Sequence, residues 1–276
     1  MFVSGTLLGQ GVGSTVDGHH IPGEPDRKKA MKRFAAFLTA LSMLCMIGGF
    51  SYAADRGNTS LQSFNKAKKL LLDEVYYDHL ITFYCGCPFT LDKKIIPSDT
   101  YTPKKEGGRA HRVEWEHIVP AHAFGQSFPE WRDGHTECVD SKGKPFKGRN
   151  CASKMAVKFR YMESDMYNLV PAVGEINGLR SNYSFGMIPG EKREFGNCDM
   201  EIENNKAEPP PEKRGNIART YFYMDWAYPG HGIISNKNKK LFQAWDKEDP
   251  VDSWERERCK RIEKIQGNGN PFVREP

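Results

Sequence analysis

Apolar residues return at helical spacing between positions 59 and 80 (Leu61, Phe64, Leu70, Leu71 and Val75), which predicts a helix. "ITFYCGC" after it is a short β-rich run, and residues 88–111 are polar, with prolines and lysines, and read as a loop. The segment "RVEWEHIVPAHAFG", 112–125, has the spacing of a strand closed by Pro120. Residues 125–150 are rich in Gly, Lys and Pro and read as a long loop, with a helix expected around 152–164. "GEINGLRSNYSF" is punctuated by Gly and Asn and opens or caps a short helix. "EPPPEKRG", 208–215, breaks the pattern, "NIARTYFYMDWAY" predicts a compact apolar helix, and two further helices separate at Pro250. The tryptophans and the "TYFYMDW" aromatics are expected in helix packing.

One position resists the alternation. Glu114 and Glu116 interleave with Val113 and Trp115 at period two, as on a strand with one wet face. His117 follows Glu116 directly and breaks the pattern. Neighbours on a regular strand point to opposite faces, so both reach one site only if the strand ends or twists there. Pro120 makes an ending plausible.

The N-terminal part changes the picture of where the chain acts. Lys32 and Arg33 precede an apolar run from Phe34 to Phe50, followed by Ser51-Tyr52-Ala53. That is the pattern of a secretory signal peptide with cleavage after Ala53, a retained anchor being the alternative. Residues 1–30 are polar and Gly-rich, and Met31 is the expected start, so 1–30 reads as a non-native extension, 31–53 as leader and 54–276 as one domain. Six cysteines remain after the leader: Cys85, Cys87, Cys138, Cys151, Cys198 and Cys259. An even count in an exported chain predicts up to three disulfides. Cys138 with Cys151 would close a short Gly- and Lys-rich loop, while Cys85 and Cys87 are too close to pair with each other. A zinc site competes, but no Cys-x-x-Cys pair is present. The net charge of +5 permits a polyanionic partner without requiring one.

Water-driven attack on a phosphodiester needs a proton acceptor near neutral pH and a cation to offset phosphate charge. Imidazole serves the first need, and carboxylate and amide oxygens hold a hard cation for the second. Glu116 and His117 supply one group of each type, and "MESDMYN" and "GEINGLRSN" offer further oxygen ligands. Read from these residues alone, the chain is expected to be an exported hydrolase with a candidate hard-metal site, and the residues carry the reading no further.

The blocks "RVEWEHIVPAHAFG", "GRNC", "MESDMYNLVPAVGEINGLRSNYSF", "AEPPPEKRGNIARTYFYM" and "KIQGNGNPFV", in this order, resemble the bacterial endonuclease I family of exported nonspecific nucleases. The resemblance runs from about Leu61 to Val273 and implies an α+β fold: a single mixed domain around a ββα-metal (His-Me finger) motif, with surrounding helices and long loops. It implies that His117 is the general base and that Glu116 and Asn177 hold one divalent ion, Mg²⁺ by expectation, with Mn²⁺ or Ca²⁺ as substitutes. The implied products carry a 5′-phosphate and a 3′-hydroxyl. Arg149 is the expected phosphate clamp and Glu163 the expected orienting residue.

This chain departs from the family pattern at several points. Arg-Lys-Asn-Cys is replaced by Gly148-Arg149-Asn150-Cys151, which displaces the clamp arginine by one residue and makes Lys147 its rival. Leu179 stands where the family has Asp, and Arg256 where it often has Cys. No helix-turn-helix, zinc-finger or RRM signature is present to read bases, so loose cleavage of DNA and RNA by a monomer, secreted or periplasmic, is expected. The alternatives are an exported nucleic-acid-binding protein without catalysis and a zinc-dependent hydrolase, the latter without a His-Glu-x-x-His motif.

Overall fold

The computed structural model describes residues 56–190 and 192–273, together with Gly13. The expected extension (1–30) and leader (31–53) lie outside the described residues, apart from Gly13. Described by itself, the unit from Ala53 onward is a mixed α+β domain. None of its described helices is long and apolar enough to cross a membrane.

The predicted first helix is shorter than its apolar pattern. Ser63 Oγ accepts from Lys66 N and starts α1 at Phe64–Leu70. A π-helical turn, Leu71–Val75, ends it. "ITFYCGC" is not a strand. Gly86 takes φ 64°, Gly86 N donates to Thr82 O, and the run makes only one isolated bridge, Ile81 with Pro88.

β1, Val113–His117, forms as expected and pairs antiparallel with β2, Leu169–Val173, in a register that sets His117 opposite Leu169 and Val113 opposite Val173. Between them lie α2 (Ala121–Gly125), α3 (Pro129–Arg132), α4 (Arg149–Met155) and α5 (Val157–Glu163). The single helix expected at 152–164 is thus two helices that meet at the extended residue Ala156. Helix α6, Gly174–Arg180, follows β2 without a loop, so β1, β2 and α6 form a ββα unit.

A second sheet was not foreseen: β3 (Ser184–Phe185) runs parallel to β5 (Lys206–Glu208), which pairs antiparallel with β4 (Glu201–Glu203). Three helices complete the domain: α7 (Arg214–Ala227), α8 (Asn236–Glu248) and α9 (Ser253–Gln266). On α7 Ile217, Tyr221, Tyr223 and Met224 are buried, as the aromatic run predicts.

Among the buried carboxylates, that of Asp165 is fully enclosed. Asp165 accepts hydrogen bonds from Tyr223 Oη (2.8 Å), Tyr228 Oη (2.6 Å) and Gln266 Nε2 (3.0 Å), which satisfies the buried charge from two helices and a loop.

Disulfides join Cys138 with Cys151, as loop closure suggested, and Cys85 with Cys198. Two of the up to three expected bridges form: Cys85 pairs elsewhere as expected, but Cys87 does not, and it and Cys259 are buried free thiols. The Cys87 sulfur is partnered by the Thr100 hydroxyl at 3.5 Å, while Cys259 lies inside α9. Each is enclosed by its own neighbours.

Candidate active site

β1 ends where the sequence required it to end. Ile118 N donates to Asn168 O at 3.0 Å, and Val119 is clipped by the Asn168 side chain through its N–H (2.7 Å) and its carbonyl (3.0 Å). The chain then turns at Pro120 into α2. At this frayed end Glu116 and His117 line one cavity of about 780 Å³, together with Asn177 from α6 and Arg149 from α4. The sequence-predicted base, both predicted metal ligands and one predicted clamp therefore share one space. Lys147, the rival clamp, is exposed and lies outside the lining; Arg149 occupies the place at the cavity.

The imidazole of His117 is oriented by a backbone group. Its Nε2 lies 2.8 Å from Glu163 O. A carbonyl only accepts, so Nε2 carries the proton and Nδ1 carries the lone pair. Burial, followed by the charge of Arg149, pushes the imidazolium down to about 3, so the ring is neutral throughout the neutral range. Phe64 stacks on it at 4.9 Å between centroids.

Glu163 does not line the cavity but ties two parts of it together. Its carbonyl holds His117, while its carboxylate accepts from Arg149 Nε (2.5 Å) and Ser153 Oγ (2.8 Å). Arg149 Nη1 and Nη2 make no hydrogen bond to the described residues. Arg149 and Lys68 both stand over Phe64, at 5.2 and 4.5 Å from the ring centroid, so two cations flank the stacked ring.

Glu116 is 3% exposed, and Arg180 explains how its charge is tolerated. Arg180 Nη1 donates to Glu116 Oε1 and to His117 O, both at 2.8 Å, and Nη2 donates to Ile118 O at 2.7 Å. Tyr84 Oη adds a longer bond of 3.3 Å to the same carboxylate oxygen. Burial still dominates and pushes the carboxyl up to about 7, against the pull of Arg180 and Tyr84.

The oxygen atoms fit a hard divalent cation. Oε1 of Glu116 is occupied by Arg180 and Tyr84, while Oε2 accepts no hydrogen bond from the described residues. Asn177 Nδ2 donates to Glu114 Oε2 at 3.0 Å, which leaves Oδ1 unused among the described residues. One carboxylate oxygen and one amide oxygen in a wet cavity suit an ion that keeps several waters. Among the described residues no three or more His, Cys, Asp or Glu side chains are grouped to hold a metal ion.

Sequence reasoning missed four contributors. Glu114 was expected to face solvent. Instead Arg109 and Arg112 both bond its carboxylate and, against the opposing effect of partial burial, hold it below the usual carboxylate range. Arg180, Phe64 and Lys68 carried only helical spacing or charge, and no local signal marked them.

Comparison with known proteins fits this geometry. The family model described as Endonuclease I matches residues 59–276. This chain belongs to the endonuclease I family. An extracellular deoxyribonuclease of Aeromonas hydrophila is 41% identical over 219 residues, covering 77% of this chain and 89% of that protein. Endonuclease-1 of Buchnera aphidicola subsp. Acyrthosiphon pisum is 40% identical over 221 residues, 78% of this chain and 81% of that protein. An extracellular ribonuclease of Bacillus subtilis is 33% identical over 130 residues, 41% of this chain and 44% of that protein. As an endonuclease I family member, the chain has an α+β domain in which the block "RVEWEHIVPAHAFG" supplies strand β1 and helix α2.

Proposed function

We propose that this endonuclease I family member is an exported endonuclease that hydrolyses phosphodiester bonds of DNA and RNA. His117 is its general base, and Glu116 and Asn177 hold one Mg²⁺-type ion. The observation that supports this reading is the His117 Nε2 contact to Glu163 O, which leaves Nδ1 unprotonated on a ring that lines the same cavity as Glu116, Asn177 and Arg149. The names of the relatives, among them an extracellular deoxyribonuclease and an extracellular ribonuclease, support both substrates and export.

In this reading the neutral Nδ1 takes a proton from a water molecule poised against phosphorus. Glu163 fixes the tautomer through its carbonyl and holds Arg149 through its carboxylate, so that the Arg149 guanidinium meets a phosphate oxygen. When bound, the divalent ion supplies positive charge beside the phosphate and the departing oxygen. The products are a 5′-phosphate and a 3′-hydroxyl. Lys93, Lys94 and Arg112, which also line the cavity, give the strand phosphate contacts without base readout. Cleavage near Ala53 releases the domain that begins at residue 54, and it acts as a monomer. A plasmid-nicking assay in Mg²⁺, in EDTA and with His117→Ala tests the reading. Intact plasmid with the wild-type protein at low salt in Mg²⁺ or Mn²⁺ would refute it.

A further inference from the structure

The two ends of the Asn177 amide are chemically opposite. Its oxygen can hold a hard cation, and its nitrogen cannot. Which end meets the cavity is decided by what binds the other end. That partner is Glu114, whose Oε2 accepts from Asn177 Nδ2 at 3.0 Å. Glu114 is itself gripped by Arg109, through Nε at 3.0 Å and Nη2 at 2.5 Å. Arg112 adds bonds from Nε at 3.0 Å and Nη2 at 2.7 Å. An ionised carboxylate between two guanidiniums only accepts, so it selects the nitrogen end of the amide.

The helix is shaped to admit this clamp. Gly174 and Gly178 lie four residues apart on α6 and share a face. A Cβ at Gly178 would stand 2.2 Å from Arg109 Nη1. A Cβ at Gly174 would stand 2.8 Å from Arg109 O and 3.0 Å from Glu114 Cδ. The glycines of "GEING" thus bare the helix face on which the Arg109–Glu114 pair rests.

We propose that Glu114 is a positioning residue: clamped by Arg109 and Arg112 against the Gly174–Gly178 face, it fixes Asn177 with Oδ1 toward the cation. This rests on the reading of Asn177 as a cation ligand. Replacing Glu114 has two separable effects. Glu114→Ala and Glu114→Gln remove the same negative charge, so any long-range weakening of cation binding is common to both. Only Gln offers Asn177 a new partner. Its carbonyl turns to the guanidiniums and its NH₂ turns to Asn177, which draws Oδ1 away from the cation and leaves Nδ2 in its place.

The test is calorimetric titration of the EDTA-stripped full chain with Mg²⁺ and with Mn²⁺, for wild type, Glu114→Ala and Glu114→Gln. Thermal unfolding of each sample checks the fold. Glu114→Gln is expected to bind the ions about 10- to 100-fold more weakly than wild type, with Glu114→Ala between the two. Equal binding by the two variants, or tighter binding by Glu114→Gln than by Glu114→Ala, overturns the proposal. If the Glu114 variants do not fold, Gly178→Ala displaces Arg109 from the helix side and is expected to weaken binding severalfold; wild-type affinity in that variant overturns the proposal equally. Absence of ion binding by the wild-type chain would instead sink the reading of Asn177 as a ligand.

Discussion

The ring of Phe64 lies against the imidazole of His117 with centroids 4.9 Å apart and planes inclined by 29°. One residue from the first turn of α1 thus covers one face of the His117 ring. Stacking of this kind is worth about 0.5–1.5 kcal/mol. Phe64→Leu is therefore expected to lower kcat for DNA cleavage about 2- to 10-fold, with a smaller change in KM. Steady-state kinetics on a defined duplex checks this, and an unchanged kcat would show that the stack does not hold the ring.

Arg180 is fully buried and serves Glu116 and two backbone carbonyls at once. Removing one partner of a buried ion pair strands the other charge and costs about 3–5 kcal/mol. Arg180→Met is expected to lose stability toward that scale in urea unfolding at pH 9, where Glu116 is ionised, with a smaller loss at pH 5, where it is protonated. A loss of the same size at both pH values would contradict the pairing of Arg180 with an ionised Glu116.

Cys138 and Cys151 close a loop of 13 residues' separation, and Arg149 lies two residues before the second cysteine. A loop of this size is stabilised by about 3 kcal/mol on cross-linking. Cys138→Ser with Cys151→Ser is expected to lower Tm and to raise KM for DNA, because the start of α4 no longer fixes Arg149. Calorimetry and kinetics on the double variant measure both.

Glu116 and His117 titrate in opposite senses in the ion-free protein. Glu116 is raised from 4.5 to about 7, so its contribution to stability is present below pH 4.5 and is lost as pH rises through 7. His117 is lowered from 6.5 to about 3, so its contribution is present above pH 6.5 and is lost as pH falls toward 3. Between pH 4.5 and 6.5 the folded chain holds the Glu116 proton and the unfolded chain holds the His117 proton, and the two effects offset. Glu116→Gln removes one side. In EDTA its stability is expected to rise by about 1.4 kcal/mol per pH unit across that window, relative to wild type. Parallel pH profiles of the two proteins would contradict the assignment.

The strand carrying His117 was legible because alternation, an out-of-phase His and Pro120 coincide within a few residues. β2 was not, because Leu169–Val173 is a continuous buried apolar run interrupted by Pro171, which periodicity does not distinguish from a helix segment. "ITFYCGC" misled for the reverse reason: its β-formers surround a turn at Gly86. His117, Glu116, Asn177 and Arg149, which the family resemblance singled out, line one cavity. The side chains that brace them were hidden. Glu114 follows strand alternation and looks solvated, and Arg180 looks like any helix-end cation until Glu116 is seen beside it. Their roles come from partners far away in sequence, Arg180 lying 64 residues from Glu116.

The central claim is that His117 moves a proton and does not hold the strand. Its most direct measurement is plasmid nicking in Mg²⁺ by His117→Ala, paired with duplex binding by the same protein in EDTA. The account predicts a loss of turnover of at least about 100-fold with duplex affinity within about threefold of wild type. Nicking at the wild-type rate, or loss of nicking only in proportion to lost binding, would contradict it.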